Sequence, residues 1–199
     1  MDSDKIDLIA SACKALINGD ENFALSQIRR YPFINVNPQR KSFSPREATF
    51  IYMRDGFLDR YSGVRLINPA VLRVLSKSFP TEFPFQRNWK MSETHMAYWE
   101  LFPTIDHVLP VARGGTDSHE NLVTTSMLRN SAKSNWTLEE LRWTLLDPGD
   151  SSKWDGLTGW LVDYVDETGI ARQEQYVKNW YVAAKELNSA CPQPEASFT

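Results

Sequence analysis

Apolar residues recur at helical spacing along most of the chain, and this pattern predicts a mainly α-helical fold. The first apolar stripe consists of Ile6, Ile9, Cys13, Leu16 and Ile17. Gly19 follows this stripe as a helix end, and Pro32 lies just beyond a second helical stretch. We therefore expect residues 3–30 to form two short helices, followed by a loop over residues 35–43.

Two capping signatures mark helix starts further along the chain. Residues 44–47 place Ser at the N-cap, Pro in the first turn and Glu three residues after the cap. This helix is expected to continue to Gly63. Residues 137–140 place Thr and Glu at the same spacing and predict a helix that ends near Leu146.

The remaining helices have no capping box; Asn68-Pro69 marks the start of one of them. From apolar spacing, we expect them at residues 68–75, 93–101, 157–165 and 176–184. The Pro-containing tail from Asn188 onward has no such spacing and is expected to be disordered.

A different pattern interrupts the helices between residues 104 and 134. Residues 104–108 and 121–125 are short runs typical of strands, and a long loop separates them. Residues 126–134 return to helical spacing. The expected fold class is therefore mainly α within α+β, with a small β-β-α unit and flanking helices at both ends.

Charge is distributed unevenly, although the net charge is only −3. Residues 29–90 hold twelve Lys and Arg against four Asp and Glu, whereas the segments on either side are acidic. A cationic block of this kind fits a face that follows a phosphate backbone. The alternative is an ordinary solvated helix surface.

The chain shows no sign of membrane or secretory targeting. No apolar run approaches membrane-spanning length, and the acidic N-terminus lacks the apolar region of a signal peptide. Cys13 and Cys191 lie far apart, so both are expected to be free thiols in a reducing compartment. We expect a cytoplasmic protein with no membrane partner.

The residues with the clearest chemistry are Asp106 and His107, at the end of the first expected strand. Neighbouring residues on a strand point to opposite faces. A carboxylate is a hard oxygen ligand that suits Mg²⁺, and an imidazole with a pKa of about 6.5 suits a general base. An Asp-His pair by itself, however, is more often an ordinary loop feature.

The pair stands in a longer string, with Pro110, Gly114-Gly115, Asn121-Leu122 and Asn130 followed by Lys133. This string resembles the HNH endonucleases, which carry the ββα-metal fold. The resemblance implies a metal-dependent endonuclease that hydrolyses DNA phosphodiester bonds and nicks one strand per active site. It implies His107 as base, Asp106 and Asn130 as ligands of Mg²⁺ or Mn²⁺, and Asn121 as a scaffold residue.

On this basis the chain divides into an N-terminal helical segment (1–43), a nuclease core with basic lead-in helices (44–146) and a C-terminal helical segment with its tail (147–199). The expected nucleic-acid contacts are Arg113, Lys133, Arg54, Arg60 and Arg65. Phe83, Phe85 and Trp89 alternate with cations, so they are either core residues or base-stacking residues. Because one site cuts one strand, a double-strand break would require a homodimer or two successive events.

The alternative function is a nucleic-acid-binding module that derives from an HNH nuclease and no longer cuts. The enzyme is favoured because the acid, the base and the second ligand are all present.

Many HNH nucleases also hold a structural zinc ion with two Cys-x-x-Cys pairs. The corresponding positions here are Asp59, Ser62, Ser126 and Arg129. None is a thiolate, so we expect no structural zinc of the usual kind. We expect an Asp59–Arg129 ion pair to replace it, with the two serines hydrogen-bonded around the pair. The alternative is that these are surface residues and the terminal helices supply the stability.

Overall fold

The computed structural model describes residues 2–33 and 41–190. Most of the expected loop at 35–43 and the tail beyond Ala190 therefore lie outside the described residues, as does Cys191. The chain forms two compact units, residues 1–38 and residues 39–199, and each is described here by itself.

The first unit is a helical hairpin. Helix α1 runs over Asp2–Ile17 and helix α2 over Glu21–Arg29, in agreement with the expected pair. Gly19 adopts φ +73° in the turn between them. The two helices pack together through three buried alanines, Ala12, Ala15 and Ala24.

The second unit is mainly helical with a two-stranded sheet, as the pattern predicts. In chain order its elements are α3 (Pro45–Arg54), α4 (Pro69–Ser78), α5 (Ala97–Glu100), β1 (Pro103–His107), β2 (Leu122–Ser126), α6 (Met127–Lys133), α7 (Leu138–Leu141), α8 (Thr158–Thr168) and α9 (Gln175–Ala190). None of the helices that the structure describes is both long and apolar enough to cross a membrane.

The core of this unit lies between α3, α4, α8 and α9. Tyr52 of α3 stacks on Trp180 of α9 with ring centroids 6.1 Å apart. Phe57, which follows α3, and Leu161 of α8 are both fully buried in the same cluster. The C-terminal helices are thus part of the core that supports the sheet, since residues 39–199 form one unit.

The sheet and the helix after it form the expected β-β-α unit. Strands β1 and β2 are antiparallel, with Asp106 opposite Val123 and His107 opposite Leu122. Helix α6 begins directly after β2, and the Ser126 side chain caps it by accepting a hydrogen bond from the Arg129 N–H.

Two helices that begin at capping boxes end earlier than expected. Helix α3 stops at Arg54 instead of Gly63, because the chain turns through Gly56 and Phe57 at φ +62° and +46°. Helix α7 stops at Leu141 instead of Leu146, where Arg142 adopts φ +57°. Residues with positive φ end a right-handed helix.

Two other expected helix bounds also differ. Of residues 93–101, only Ala97–Glu100 are α-helical, after a single 3₁₀ turn at Met91–Glu93. Helix α9 continues through Ala190, so the expected disorder does not begin at Asn188.

The aromatic segment before the sheet is a second core. Phe83 stacks on His95 with centroids 4.2 Å apart, and Trp89 meets Phe102 edge-on at 5.0 Å. Phe83, Phe85 and Trp89 all pack against buried Tyr98. These contacts favour the core interpretation over base stacking.

Asp59, the first of the four residues expected to replace a zinc site, is fully buried between the turn after α3 and the end of β2. Its Oδ1 accepts hydrogen bonds from the backbone N–H groups of Tyr61 and Ser62, 2.9 and 3.2 Å away, and from the Thr125 hydroxyl. Its Oδ2 accepts from the Ser126 N–H at 2.9 Å. The carboxylate therefore joins the turn after α3 to the end of β2.

The expected Asp59–Arg129 ion pair is wrong. Arg129 is exposed, and its guanidinium lies 5.3 Å from the centroid of the Trp143 ring. Within the described part of the chain, Asp59 is bonded by backbone and hydroxyl donors and not by a cation. The short Asp side chain reaches the N–H groups of its own turn first, as Asp commonly does in turns.

Asp59→Ala should destabilise the protein by at least about 3 kcal/mol, because it leaves several buried donors without an acceptor. Urea unfolding measures this loss. Asp59→Asn keeps one oxygen acceptor and should cost less. The matched control is Arg129→Ala, which should change stability by about 0.5 kcal/mol or less. If Arg129→Ala lowered stability as much as Asp59→Ala, the result would support the expected Asp59–Arg129 ion pair.

Candidate active site

Asp106 lies on β1 and is almost fully buried. Its Oδ2 accepts a hydrogen bond from the Tyr61 hydroxyl at 2.7 Å and lies 2.9 Å from the Lys133 amine. Both donors meet the same oxygen. The carboxylate is thereby held in one orientation, with Oδ1 on its other side.

Lys133 is an interior residue with 0% of its side chain exposed. Its amine also donates to the backbone oxygen of His107 at 2.7 Å. This placement corrects the expectation of a phosphate contact, because the amine faces the protein interior. A buried ammonium requires such partners, since its desolvation is costly.

Tyr61 is a site residue that the sequence analysis missed. Burial and the neighbouring Asp106 carboxylate raise the pKa of its hydroxyl well above the usual value. The hydroxyl therefore remains protonated and donates to Asp106. Tyr61 lies in the turn that Asp59 organises, 45 positions before its partner along the chain. No local pattern in the sequence marks a contact of that separation.

His107 makes its side-chain contact in the loop after β1 and not in the interior. Its Nε2 lies 2.7 Å from Oδ1 of Asp117, another residue that the sequence analysis did not single out. The two side chains are 16% and 46% exposed. The imidazole is thus sheltered but reachable from solvent.

Asn121 closes this loop with its side-chain amide. Its Oδ1 accepts from the Leu109 N–H at 2.8 Å, and its Nδ2 donates to the Leu109 and Thr116 carbonyls at 3.0 and 2.8 Å. A side chain at Gly115 would place Cβ 1.8 Å from the Leu109 carbonyl oxygen, so the loop requires glycine there. These contacts are what a scaffold role of Asn121 needs.

Asn130 lies on α6 and faces β1. Its Nδ2 donates to the Thr104 hydroxyl at 3.0 Å and to the Ile105 carbonyl at 3.3 Å. A carbonyl only accepts, so the amide nitrogen must face the strand and the amide oxygen must point away from it. Asn130 and Lys133 are three residues apart, hence on one helix face. That face covers β1 next to Asp106.

The donors available to a metal ion are oxygens. Among the described residues, no group of three or more His, Cys, Asp or Glu side chains is arranged to hold a metal ion. What this site offers is the Asp106 carboxylate and the Asn130 amide oxygen. Such hard donors suit Mg²⁺ or Mn²⁺, which also bind water and phosphate oxygens.

Two of the expected nucleic-acid contacts, Arg54 and Arg60, instead bind buried Asp55. Oδ1 of Asp55 accepts from Arg54 Nε at 2.9 Å and from Arg60 Nη1 at 3.0 Å, while its Oδ2 accepts from the Thr124 N–H at 2.7 Å. Arg54 also donates to the Leu122 carbonyl at 2.6 Å. These guanidiniums hold the turn after α3 against β2, which corrects the expectation for both residues.

Arg65 and Arg113, the other two arginines expected to contact nucleic acid, are exposed. Arg65 lies over the Trp154 ring, 5.6 Å from its centroid, and Arg113 makes a long 3.3 Å contact with Glu140. Much of the basic block elsewhere is already paired with carboxylates. The surface pairs among the described residues of this block are Lys41–Glu47, Arg46–Glu186, Lys77–Glu174 and Lys90–Glu93.

Lys133→Met should destabilise the protein by about 3–5 kcal/mol, because it leaves the buried Asp106 without its cation. Urea unfolding measures this, with exposed Lys178→Met as the matched control. Adding Asp106→Asn to Lys133→Met should cost less than the sum of the two single changes. If Lys133→Met left stability unchanged and lowered DNA affinity, the result would support a phosphate contact by Lys133 instead.

The comparison with known families agrees with this arrangement. Residues 93–138 match a family model described as HNH endonuclease. The matched range contains β1, the loop closed by Asn121, β2 and α6. No curated protein and no solved structure gave a match. Residues 93–138, which place Asp106 and His107 at the end of β1, are thus similar to the HNH endonuclease family.

Proposed function

We propose that this protein is a metal-dependent endonuclease that hydrolyses DNA phosphodiester bonds and cuts one strand at each active site. The observation that carries the proposal is the division of roles between adjacent residues of β1. Asp106 is held by buried donors, whereas His107 is directed to the solvent-accessible loop. One residue can bind a metal while the other takes a proton from water.

His107 acts as the general base. Its imidazole is partly exposed, so a water molecule can approach it, and histidine accepts a proton near neutral pH. Asn121 holds the loop that follows His107 to the residue preceding Asp117. This arrangement restricts the position of the imidazole relative to a bound phosphate.

Asp106 and Asn130 are the residues that would hold Mg²⁺ or Mn²⁺. Tyr61 and Lys133 both bond Oδ2 of Asp106, and the nitrogen of Asn130 faces the strand. In the described part of the chain, Oδ1 of both residues accepts no hydrogen bond, so the donor set fits a hard cation. When bound, the ion supplies positive charge for the phosphate in the transition state.

The Lys133 amine also limits this metal site. It offsets part of the negative charge of Asp106 at 2.9 Å. With two protein ligands, the ion depends on water and phosphate oxygens for its remaining coordination. We therefore expect weak metal binding by the protein alone and tighter binding with DNA present.

Arg65 and Arg113 are the proposed backbone contacts, because Arg54, Arg60 and Lys133 are committed to buried carboxylates. Each phosphate that a cation neutralises adds to the salt dependence of binding. A face with few unpaired cations should therefore bind DNA with a modest salt slope. The product expected of a single site is a nick.

His107→Ala should abolish nicking of supercoiled plasmid, a loss of at least about 100-fold, because it removes the base. Circular dichroism and DNA anisotropy should show unchanged fold and affinity. His119→Ala is the matched control, since His119 is an exposed histidine of the same loop. EDTA should stop nicking by the wild type.

The alternative function, a binding module that does not cut, makes the opposite prediction. In that case the wild type binds plasmid and leaves it supercoiled with Mg²⁺ and with Mn²⁺. Nicking by His107→Ala at the wild-type rate would overturn the assignment of the base while leaving nuclease activity intact.

Asn130→Ala and Asp106→Asn should each weaken Mn²⁺ binding by about tenfold or more, because each removes or neutralises an oxygen ligand. Electron paramagnetic resonance of Mn²⁺ in the presence of DNA measures the bound fraction. Exposed Asp163→Asn is the control for loss of an acidic side chain. Wild-type Mn²⁺ affinity in both variants would place the ion elsewhere.

A further inference from the structure

We propose that Asp117 is a positioning residue, which holds the imidazole of His107 in the tautomer that a general base requires. The inference rests on the proposed function, because it assigns a partner to the proposed base. The observation that supports it is the 2.7 Å distance between Nε2 of His107 and Oδ1 of Asp117.

The chemistry of the two groups decides which atom carries the proton. An ionised carboxylate only accepts hydrogen bonds, and a neutral imidazole has one N–H group. The pair therefore places the proton on Nε2, which donates to Asp117. Nδ1 is then unprotonated, with a lone pair that can take a proton from water. The opposite tautomer would have its N–H on Nδ1 and could not accept there.

The backbone around the pair is organised for this contact. Asn121 bonds both polar groups of Leu109, two residues after His107, and the carbonyl of Thr116, the residue before Asp117. The Val108 N–H also donates to the Asn121 carbonyl at 2.8 Å. One asparagine thus anchors the loop on both sides of the contact, which gives its scaffold role a specific purpose.

The energetics favour orientation over stability as the role of this pair. Asp117 is 46% exposed, and exposed pairs contribute little to folding stability. Replacement of Asp117 should therefore leave the fold intact. What it changes is the freedom of the ring to rotate and to exchange tautomers. The buried partners of Asp106 are not part of this contact, so the metal ligand should be undisturbed.

Nitrogen NMR of the histidine rings tests the tautomer directly, above the pH at which the rings lose their charge. In the wild type, Nε2 of His107 should show the shift of a protonated nitrogen and Nδ1 that of an unprotonated nitrogen. In Asp117→Ala the two shifts should move toward each other as the tautomers mix. Asp117→Asn offers an amide that can donate as well as accept, so it should also mix the tautomers, whereas Asp117→Glu keeps a carboxylate that only accepts and should retain most of the wild-type difference. The His95 and His119 signals are internal controls.

Nicking kinetics supply the second measurement. Asp117→Ala should lower kcat by about tenfold with little change in KM, since orientation of the base matters in the chemical step. Asp117→Glu should recover part of that loss, and Asp117→Asn should not. An unchanged tautomer ratio in Asp117→Ala, in a protein whose wild type nicks, overturns the role of Asp117 alone. A wild type that binds DNA and never nicks it overturns the proposed function instead.

Discussion

The buried carboxylate of Asp59 connects the segments from which the site is built. It binds the N–H groups of its own turn and the N–H of Ser126 at the end of β2. The same turn carries Tyr61, whose hydroxyl reaches Asp106. Loss of this carboxylate would therefore disturb the orientation of the proposed metal ligand as well as the fold. A few hydrogen bonds to one anion connect a turn, a strand end and a helix start.

Buried charge is the second constraint, and it explains why several cations are not available for the proposed contact with DNA. Asp55 and Asp106 are both interior carboxylates, and each requires positive partners to offset its desolvation. Arg54 and Arg60 supply them for Asp55, and Lys133 supplies one for Asp106. Guanidinium groups suit the first site because one planar group can bind a carboxylate and backbone carbonyls together. The net charge of a segment therefore overstates the charge it can offer to DNA.

The sequence predicted the elements well where the signal is local. Apolar spacing and capping boxes gave the hairpin, the starts of α3 and α7, and the β-β-α order. The early ends of α3 at Arg54 and of α7 at Leu141 were missed, because positive φ is uncommon for residues other than glycine and the sequence does not mark it at Phe57 and Arg142. Tyr61 and Asp117 were missed for a related reason. Their partners lie 45 and 10 residues away, and no residue pattern encodes such a pairing. The Asp59–Arg129 pair was wrong because opposite charges at corresponding positions do not establish contact.

In the proposed mechanism, the two adjacent residues of β1 have opposite structural requirements, and the fold separates them accordingly. A metal ligand must keep its oxygen in place, and Asp106 is held by the phenol of Tyr61 and the amine of Lys133, two buried residues. A general base must meet water and pass on a proton, and His107 lies beside an exposed loop whose shape depends on one asparagine. Loops of this kind open more readily than core strands. Changes in the loop should therefore act on proton transfer while metal affinity stays constant. Changes around Asp59 or Tyr61 should act on metal affinity while proton transfer at His107 stays constant.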